Sequence, residues 1–360
     1  MAEKLELPLH SKGASSSRKK VYSLFIGINF ILILCTLFSY GSDESKPIKT
    51  PIDVFRTFMQ EPHEPNSLCP IVPKIDPSDV LHNPDTINYI LSDKSFHTSV
   101  RKKLLNAVKI PTEIFDGMEN PQSVKSLKEL YELDPRWKPF EKFHDYLEKT
   151  YPLVHKHLQL KKINKFGLVY TWKGKDTSKK PIMLTAHQDV VPVPHETIDQ
   201  WTFPPFEGGF DGKYLYGRGV SDCKNLLIAL MGTIELLLEE DKFKPQRTII
   251  LAFGYDEEAA GKGAEEISEY LVNKYGSDSI LQIIDEGDEG YQDIEGVKLI
   301  LPATGEKGHL NSVIDLFTPG GHLSVPPKHT SIGIMSQLIT KIEDKEFSPI
   351  LTNNNPVLGQ

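Results

Sequence analysis

The sequence predicts an α/β protein built around a layered sheet. Three observations lead to this prediction: apolar runs of strand length end in polar or glycine-rich turns, amphipathic stretches of helix length lie between them, and the two types alternate along the chain. This alternation is typical of an open sheet with helices packed against it. Ligands of such sheets bind beyond the carboxyl ends of the strands, so chemistry is expected at one edge.

The individual elements follow from local periodicity. Apolar residues recur every three or four positions in 98–110 and 139–149, which predicts two helices, and they alternate in 166–174 (FGLVYTWKG), which predicts a strand. The next expected elements are strand 181–187, helix 223–239, strand 247–254, helix 262–274 and strand 279–284. Further along, we expect a strand at 311–317 and a helix at 331–342.

Charge and hydropathy limit the partners of the chain. The formal net charge of -8, the pI near 5.9 and the lack of a basic stripe argue against nucleic acid. Residues 21–40 carry no charge, and as a helix they would rise roughly 30 Å, about the thickness of a bilayer core. The basic residues at 18–20 place the N-terminus in the cytosol. We expect an uncleaved anchor, with a cleaved signal peptide as the alternative.

His187 and Asp189 stand at the end of the strand predicted at 181–187. Side chains two residues apart on a strand project from the same face, so these two can lie side by side and share one task. Taken alone, His187 also fits a hydrogen-bonded core histidine. The acidic residues elsewhere in the chain decide between these interpretations.

Acidic residues follow or precede the neighbouring elements. Asp222 precedes the helix at 223–239, the run 256–258 follows one strand, and Asp285 with Glu286 follows another. Separately, Asp222 fits a helix N-cap and the others fit solvated loops. Together with His187 they would crowd one edge, where uncompensated carboxylates repel one another. A pair of divalent cations resolves that conflict, because zinc binds imidazole nitrogen and carboxylate oxygen and two ions share a bridging carboxylate.

An ordered set of motifs resembles the co-catalytic dizinc peptidase and aminoacylase family. The motifs are HQDVVPV at His187, W-x-F-P-P-F at Trp201, YGRGVSDCKN at Tyr216, DEEAAG at Asp256, IIDEG at Ile283 and GGHLSVPP at Gly320. Their order agrees with the family over about 90–350, and the anchored form resembles its fungal vacuolar members. The resemblance implies a zinc-exopeptidase-like sheet with helices on both faces and the start of a smaller α+β lid domain.

The resemblance implies two zinc ions per subunit. By that resemblance His187 and Asp285 would bind one ion, Glu258 would bind the other, and Asp222 would bridge them. The family has a final histidine ligand and an arginine that grips the substrate carboxylate further downstream, and neither is identifiable in this chain.

The remaining roles are implied in the same way. Glu257 would be the general base, since a carboxylate that binds no metal is needed to take a proton from water, and adjacent glutamates point in different directions. Asp189 would accept the second ring N–H of His187 and so orient it. His322 would reach the developing oxyanion from the lid. Cys223 is expected to pack rather than to bind metal.

These expectations give a domain plan and a function. The plan is a cytosolic tail at 1–20, an anchor at 21–40, a stalk at 41–84, an incomplete dizinc catalytic domain at 85–305 and the beginning of a lid or dimerisation domain at 306–360. The implied function is a zinc carboxypeptidase that acts on short peptides in the lumen of a fungal vacuole, as a single-pass type II membrane protein. Lids of the family often mediate dimers, so a homodimer through the lid is one of the oligomeric states left open. The alternatives are an N-acyl amino acid hydrolase and an inactive member that acts as a binding protein.

Overall fold

The structure is a computed structural model, and it describes most of the chain beyond residue 84. The described residues are 81, 83, 85–239, 243–259, 261–287, 291–294, 296–300, 302–305, 308, 310–322, 324–345, 348 and 350. The predicted tail and anchor, and almost all of the predicted stalk, lie outside them. Within these ranges, no helix is both long and apolar enough to cross a bilayer.

Helices and strands alternate as the sequence predicts. The helices are α1 Asp85–Ser92, α2 Lys94–Val108, α3 Leu127–Leu133, α4 Lys138–Thr150, α5 Pro152–His157, α6 Lys224–Glu239, α7 Lys262–Tyr275 and α8 Ser331–Glu343. The strands are β1 Gln159–Ile163, β2 Gly167–Trp172, β3 Ile182–His187, β4 Gly209–Phe210, β5 Leu215–Tyr216, β6 Ile249–Gly254, β7 Gln282–Ile284, β8 Tyr291–Ile294 and β9 Val297–Ile300. Every element predicted between 98 and 284 is confirmed, with ends within about one helical turn of those expected.

The main sheet is mixed rather than purely parallel. In the described part of the chain its strand order is β1-β2-β6-β3-β7. β1, β2 and β6 pair antiparallel, whereas β6, β3 and β7 pair parallel. The register sets His187 opposite Gly254, so β3 and β6 end at the same edge. The predicted meeting of strand ends is therefore present.

Helices cover both faces of the sheet, as predicted. Along β6, Leu251 and Phe253 face a core cluster shared with α2, α4, α5 and α6, whereas Ile250 and Ala252 face a second cluster shared with α7. All four side chains are at most 2% exposed. A strand buried on both faces needs an unbroken apolar run, as in IILAF. Each fully buried aliphatic or aromatic side chain contributes roughly 1.5–3 kcal/mol, so these clusters fix the sheet that positions the strand ends.

The strand predicted at 311–317 is wrong. The described residues from 310 to 322 form neither strand nor helix, and Val313 and Phe317 are 86% and 90% exposed. A strand needs a neighbouring strand to pair its N–H and C=O groups, and none of the strands in the described residues lies beside this segment. The helix predicted at 331–342 is confirmed by α8, whose first turn is capped by the Thr330 hydroxyl accepting the Gly333 N–H.

Candidate metal centre

The imidazole of His187 is the centre of the site. It lies at the carboxyl end of β3 and is only 2% exposed. Its Nδ1 is 3.0 Å from the carbonyl oxygen of Asp189 and 3.3 Å from the Oδ1 of the same residue. That Oδ1 is buried and has no other hydrogen-bond partner. A ring N–H on Nδ1 serves both oxygens, which leaves Nε2 directed at the neighbouring acids.

Three carboxylates surround Nε2. The distances from Nε2 are 2.8 Å to Asp222 Oδ1, 3.2 Å to Glu286 Oε1 and 3.9 Å to Glu257 Oε2. Glu257 follows β6 and Glu286 follows β7, and both strands pair with β3 and end near its carboxyl end. Asp222 comes from the turn just before α6. The site opens into a cleft of roughly 440 Å³. Burial opposes charge on the ring, but hydrogen bonds to Asp189 and Glu286 outweigh it and raise the pKa of His187.

Glu257 and Glu258 lie in a turn that is anchored on both sides. Before them, the buried Tyr255 ring packs edge-on against Trp137, with ring centroids 5.7 Å apart. Asp256 accepts the N–H groups of Lys262 and Gly263, so it caps the first turn of α7 and does not reach the metal centre.

Mutual repulsion shapes the protonation of these two glutamates. Burial raises the pKa of Glu257, and the nearby carboxylates of Glu286 and Asp189 add to that effect. Burial and the charge of Asp222 raise the pKa of Glu258 to about 7. A cation bound next to these carboxylates would favour their ionised form and lower their raised pKa values.

Asp222 contacts the imidazole rather than the end of α6. Its side chain is 65% exposed and directs Oδ1 at His187 Nε2. No hydrogen bond from α6 to the Asp222 side chain supports the N-cap alternative among the described contacts, and the ligand role of Asp222 stays a prediction. Cys223 is buried, as expected of a packing residue, and its Sγ accepts the backbone N–H of His187 at 3.2 Å. Burial raises the pKa of this thiol to about 11.

Among the described residues, two groups of side chains bring metal-binding atoms within 4.8 Å of one another. One group is His187, Asp222, Cys223 and Glu286, and the other is His187, Glu257 and Glu258. The sequence predicted His187, Asp222 and Glu258 as ligands and Glu257 as the base, and it placed the ligand of the third acidic segment at Asp285, next to Glu286. The Oδ1 of Asp285 accepts the N–H of Glu286 instead, although Asp285 lines the same cleft. The ligand role of Asp285 stays a prediction.

His322 is not gathered into this cluster in the described part of the chain. Its Nδ1 lies 2.7 Å from the Ser324 hydroxyl, and the residues around it are exposed. Its role at the oxyanion also stays a prediction.

Sequence reasoning missed several polar residues beneath the site. Lys224 is fully buried, and its ammonium donates to the carbonyl oxygens of Ala107 and Ile110 just at and beyond the end of α2. It thereby joins α2 to the turn that carries Asp222. The signal was available, since a lysine at the start of an apolar helix such as KNLLIALM needs a buried partner.

The donor set fits a divalent cation. One imidazole has its Nδ1 side fixed by Asp189, and its Nε2 faces carboxylate oxygens from Asp222, Glu257 and Glu286. Imidazole nitrogen and carboxylate oxygen are the donors that zinc takes in catalytic sites. The excess negative charge around Nε2 is what such an ion would neutralise.

Known proteins resemble this chain along most of its length. Residues 183–357 match the family model described as peptidase family M20/M25/M40. Carboxypeptidase S of Saccharomyces cerevisiae is 41% identical over 360 residues, which cover 99% of this chain and 59% of that protein. A putative carboxypeptidase of the same yeast is 39% identical over 337 residues, which cover 92% of this chain and 54% of that protein. These matches confirm the resemblance that the motifs indicated.

An acyl amino acid enzyme is also similar. Human N-fatty-acyl-amino acid synthase/hydrolase is 33% identical over 270 residues, which cover 74% of this chain and 49% of that protein. The chain thus spans 49 to 59% of the length of these three relatives.

Proposed function

The chain carries a domain of the M20/M25/M40 peptidase family, and we propose that it acts as a zinc-dependent carboxypeptidase on short peptides. One observation carries the proposal: a single buried imidazole has its Nε2 within 4 Å of carboxylates from Asp222, Glu257 and Glu286. Identity to two yeast carboxypeptidases supports the exopeptidase class. Because the chain covers only part of those relatives, its activity and substrates are proposals.

In this proposal His187, Asp222, Glu258 and Asp285 would hold the zinc. The distance of 3.2 Å between Glu286 and His187 makes Glu286 a further candidate for the position assigned to Asp285. Zinc bound there would supply Lewis-acid chemistry, by polarising the scissile carbonyl and acidifying a water molecule.

Glu257 is proposed as the general base. It is the acid furthest from Nε2 among the three that surround it, at 3.9 Å, and its raised pKa suits a group that takes a proton and returns it to the leaving amine. Asp189 keeps the proton of His187 on Nδ1, so that Nε2 stays available. The Oδ2 of Asp189 also accepts the Glu258 N–H at 3.0 Å, so one carboxylate positions two proposed ligands.

His322 is proposed to stabilise the oxyanion from the lid. A histidine donor suits this role because an N–H aimed at the developing negative charge lowers the barrier more than it stabilises the ground state. We also propose that the lid forms the interface of a homodimer. The segment 21–40 is the proposed vacuolar membrane anchor.

Hydrolysis of N-acyl amino acids is the second candidate. The identity to human N-fatty-acyl-amino acid synthase/hydrolase supports it. Both substrate classes present an amide bond next to a free carboxylate, so the same site chemistry serves either. An inactive binding protein is the third candidate, and it predicts no turnover of either substrate.

Metal analysis and turnover of the purified full chain test the proposal. We expect about two zinc ions per chain, and faster hydrolysis of an N-blocked dipeptide than of an N-fatty-acyl amino acid. Glu257→Gln should keep the zinc and lose turnover by at least about 100-fold, in line with the usual contribution of a general base. Glu269→Gln, on the exposed face of α7, is the matched control and should keep both.

Each outcome separates the candidates. Preference for the acyl substrate selects the second function, and absence of zinc with no turnover selects the binding protein. Turnover retained by Glu257→Gln would contradict the assignment of the base.

A further inference from the structure

Gln188 separates His187 from Asp189 and its side chain points away from theirs. Alternation along an extended chain sends it to the opposite face, where it is 0% exposed. Its amide Nε2 lies 2.9 Å from Phe166 O, 3.0 Å from Phe253 O and 3.0 Å from Gly254 O. The amide of Gln188 therefore joins the loop before β2 and the end of β6 to the end of β3.

His144 of α4 completes the contacts of that amide. Its Nε2 lies 2.8 Å from the Oε1 of Gln188, and its Nδ1 lies 3.1 Å from the Nζ of Lys162 on β1. An ammonium only donates, so Nδ1 accepts from Lys162, and Nε2 carries the ring proton and donates to Gln188. Burial is the main cause that lowers the pKa of His144 to about 4, and the charge of Lys162 adds to it, so the ring stays neutral.

The backbone of Gln188 is fixed as well. Its N–H donates to Gly254 O at 3.0 Å, and its carbonyl oxygen accepts the Thr112 hydroxyl at 2.6 Å. Every polar group of this residue is therefore committed to a partner. Rotation of the peptide units on either side would turn His187 and Asp189 away from their observed positions.

We propose that the chain of contacts Lys162–His144–Gln188 positions the metal-binding end of β3. Its members belong to neither group of metal-binding side chains, so they are positioning residues that act through His187 and Asp189. The inference rests on the proposed function in that the site binds metal. Loss of Gln188 contacts should change the orientation of the His187 ring, whether or not metal is bound.

Cobalt binding to the full chain tests this role, since Co²⁺ takes zinc sites and its visible absorption reports ligand geometry. Gln188→Met and His144→Phe remove the contacts, and we expect each to weaken Co²⁺ binding by about tenfold and to change the absorption band. His144→Gln keeps an N–H donor for Gln188 Oε1 and should restore binding to within about threefold of wild type.

Two single lysine variants test whether the contact between Lys162 and His144 contributes to metal binding. Lys162→Met should weaken Co²⁺ binding by about two- to threefold, whereas Lys161→Met, on the opposite face of β1, should not change it. If the Gln188→Met chain fails to fold, the Co²⁺ affinities of His144→Phe and His144→Gln decide whether these contacts position the site. Equal affinities in those two variants would contradict the proposal.

Histidine-selective ¹⁵N NMR of the metal-free chain gives a readout that does not depend on metal. The ring nitrogen shifts of His187 should move in Gln188→Met and stay in Lys161→Met. Unchanged His187 shifts together with unchanged Co²⁺ affinity in Gln188→Met would overturn the positioning role. A wild-type chain that binds no Co²⁺ contradicts the metal function instead, and the NMR comparison then decides the positioning role alone.

Discussion

The ring of His187 separates two regions of opposite character. The floor consists of His144, Gln188 and Asp189, and the mouth consists of Asp222, Glu257, Glu258 and Glu286. In the floor, all three side chains are at most 7% exposed. The side chains of His144 and Gln188 are hydrogen-bonded, whereas Asp189 Oδ1 has no hydrogen bond. In the mouth, the side chains of Asp222 and Glu257 are 65% and 56% exposed, and like charges face one another.

This difference in charge pairing shows how each region behaves in the metal-free chain. The amide of Gln188 and the ring of His144 are hydrogen-bonded within the fold without an ion, and Asp189 Oδ1 is the exception in the floor. In the mouth, burial and mutual repulsion raise the pKa of both Glu257 and Glu258. A rigid, hydrogen-bonded support beneath a strained set of ligands is the arrangement expected of a preorganised metal site.

Zinc should stabilise the fold through the mouth, and this is the largest expected effect. At a free zinc concentration 1,000 times the Kd, the free energy of unfolding should rise by about 4 kcal/mol. Urea unfolding of the full chain with zinc and with a chelator measures the gain.

A pair of aspartate variants locates that gain. Asp222→Asn should lose most of it, while Asp199→Asn should keep it, because Asp199 is exposed in the 3₁₀ helix His195–Gln200 and belongs to neither group of metal-binding side chains. Equal gains in both variants would show that zinc binds outside the mouth.

Acid should destabilise the floor, and this is the second expected effect. His144 has a pKa of about 4 in the fold, lowered mainly by burial, against a usual value of 6.5. Between these values the unfolded chain binds a proton that the folded chain does not. Stability from this group is therefore full above pH 6.5 and falls as pH drops towards 4, by up to about 3 kcal/mol.

Replacement of the ring isolates this contribution from the titration of carboxylates. Unfolding free energies at pH 7 and pH 4.5 should differ less in His144→Gln than in wild type. His157→Gln, at the exposed end of α5, should behave like wild type. The same acid loss in His144→Gln would mean that the ring does not resist protonation.

The sequence predicted the mouth better than the floor, and the reason is geometric. Neighbouring parallel strands end at one edge whatever their side chains, so acids after β6 and β7 had to approach His187. Which acid faces the ring depends on the loop after each strand, and periodicity ends with the strand. For that reason the sequence identified the segment but did not single out Glu286, which lies 3.2 Å from His187 Nε2, and the ligand role of Asp285 stays a prediction.

Of the floor, the sequence predicted Asp189 but missed His144 and Gln188, although a signal was present. In α4 the buried residues are Phe140, Phe143, His144 and Leu147, so a histidine stands within the apolar stripe. A histidine in that position needs a polar partner, and Gln188 between two site residues was the candidate. The failed strand at 311–317 has a different cause, since alternation predicts an extended segment but cannot supply the neighbour that pairs with it.

The smallest expected effect is a loss of stability as the pH rises, which is opposite to the loss of stability in acid expected for the floor. Glu258 has a pKa of about 7 in the fold, raised by burial and by the charge of Asp222, against a usual value of 4.5. Its stability contribution is therefore full below pH 4.5 and is lost as pH rises through 7. Glu258→Gln should stabilise the metal-free chain at pH 8 by about 1 kcal/mol, after allowance for solvent screening of this partly exposed group.

The same variant should do the opposite once metal is present. Glu258→Gln removes a proposed ligand, so the zinc-loaded variant should be less stable than zinc-loaded wild type in urea unfolding at pH 8. Glu265→Gln, an exposed glutamate in the first turn of α7, should show neither change. If Glu258→Gln destabilised the metal-free chain, the carboxylates of the mouth would not repel one another in the folded state. The proposed difference between mouth and floor would then be wrong.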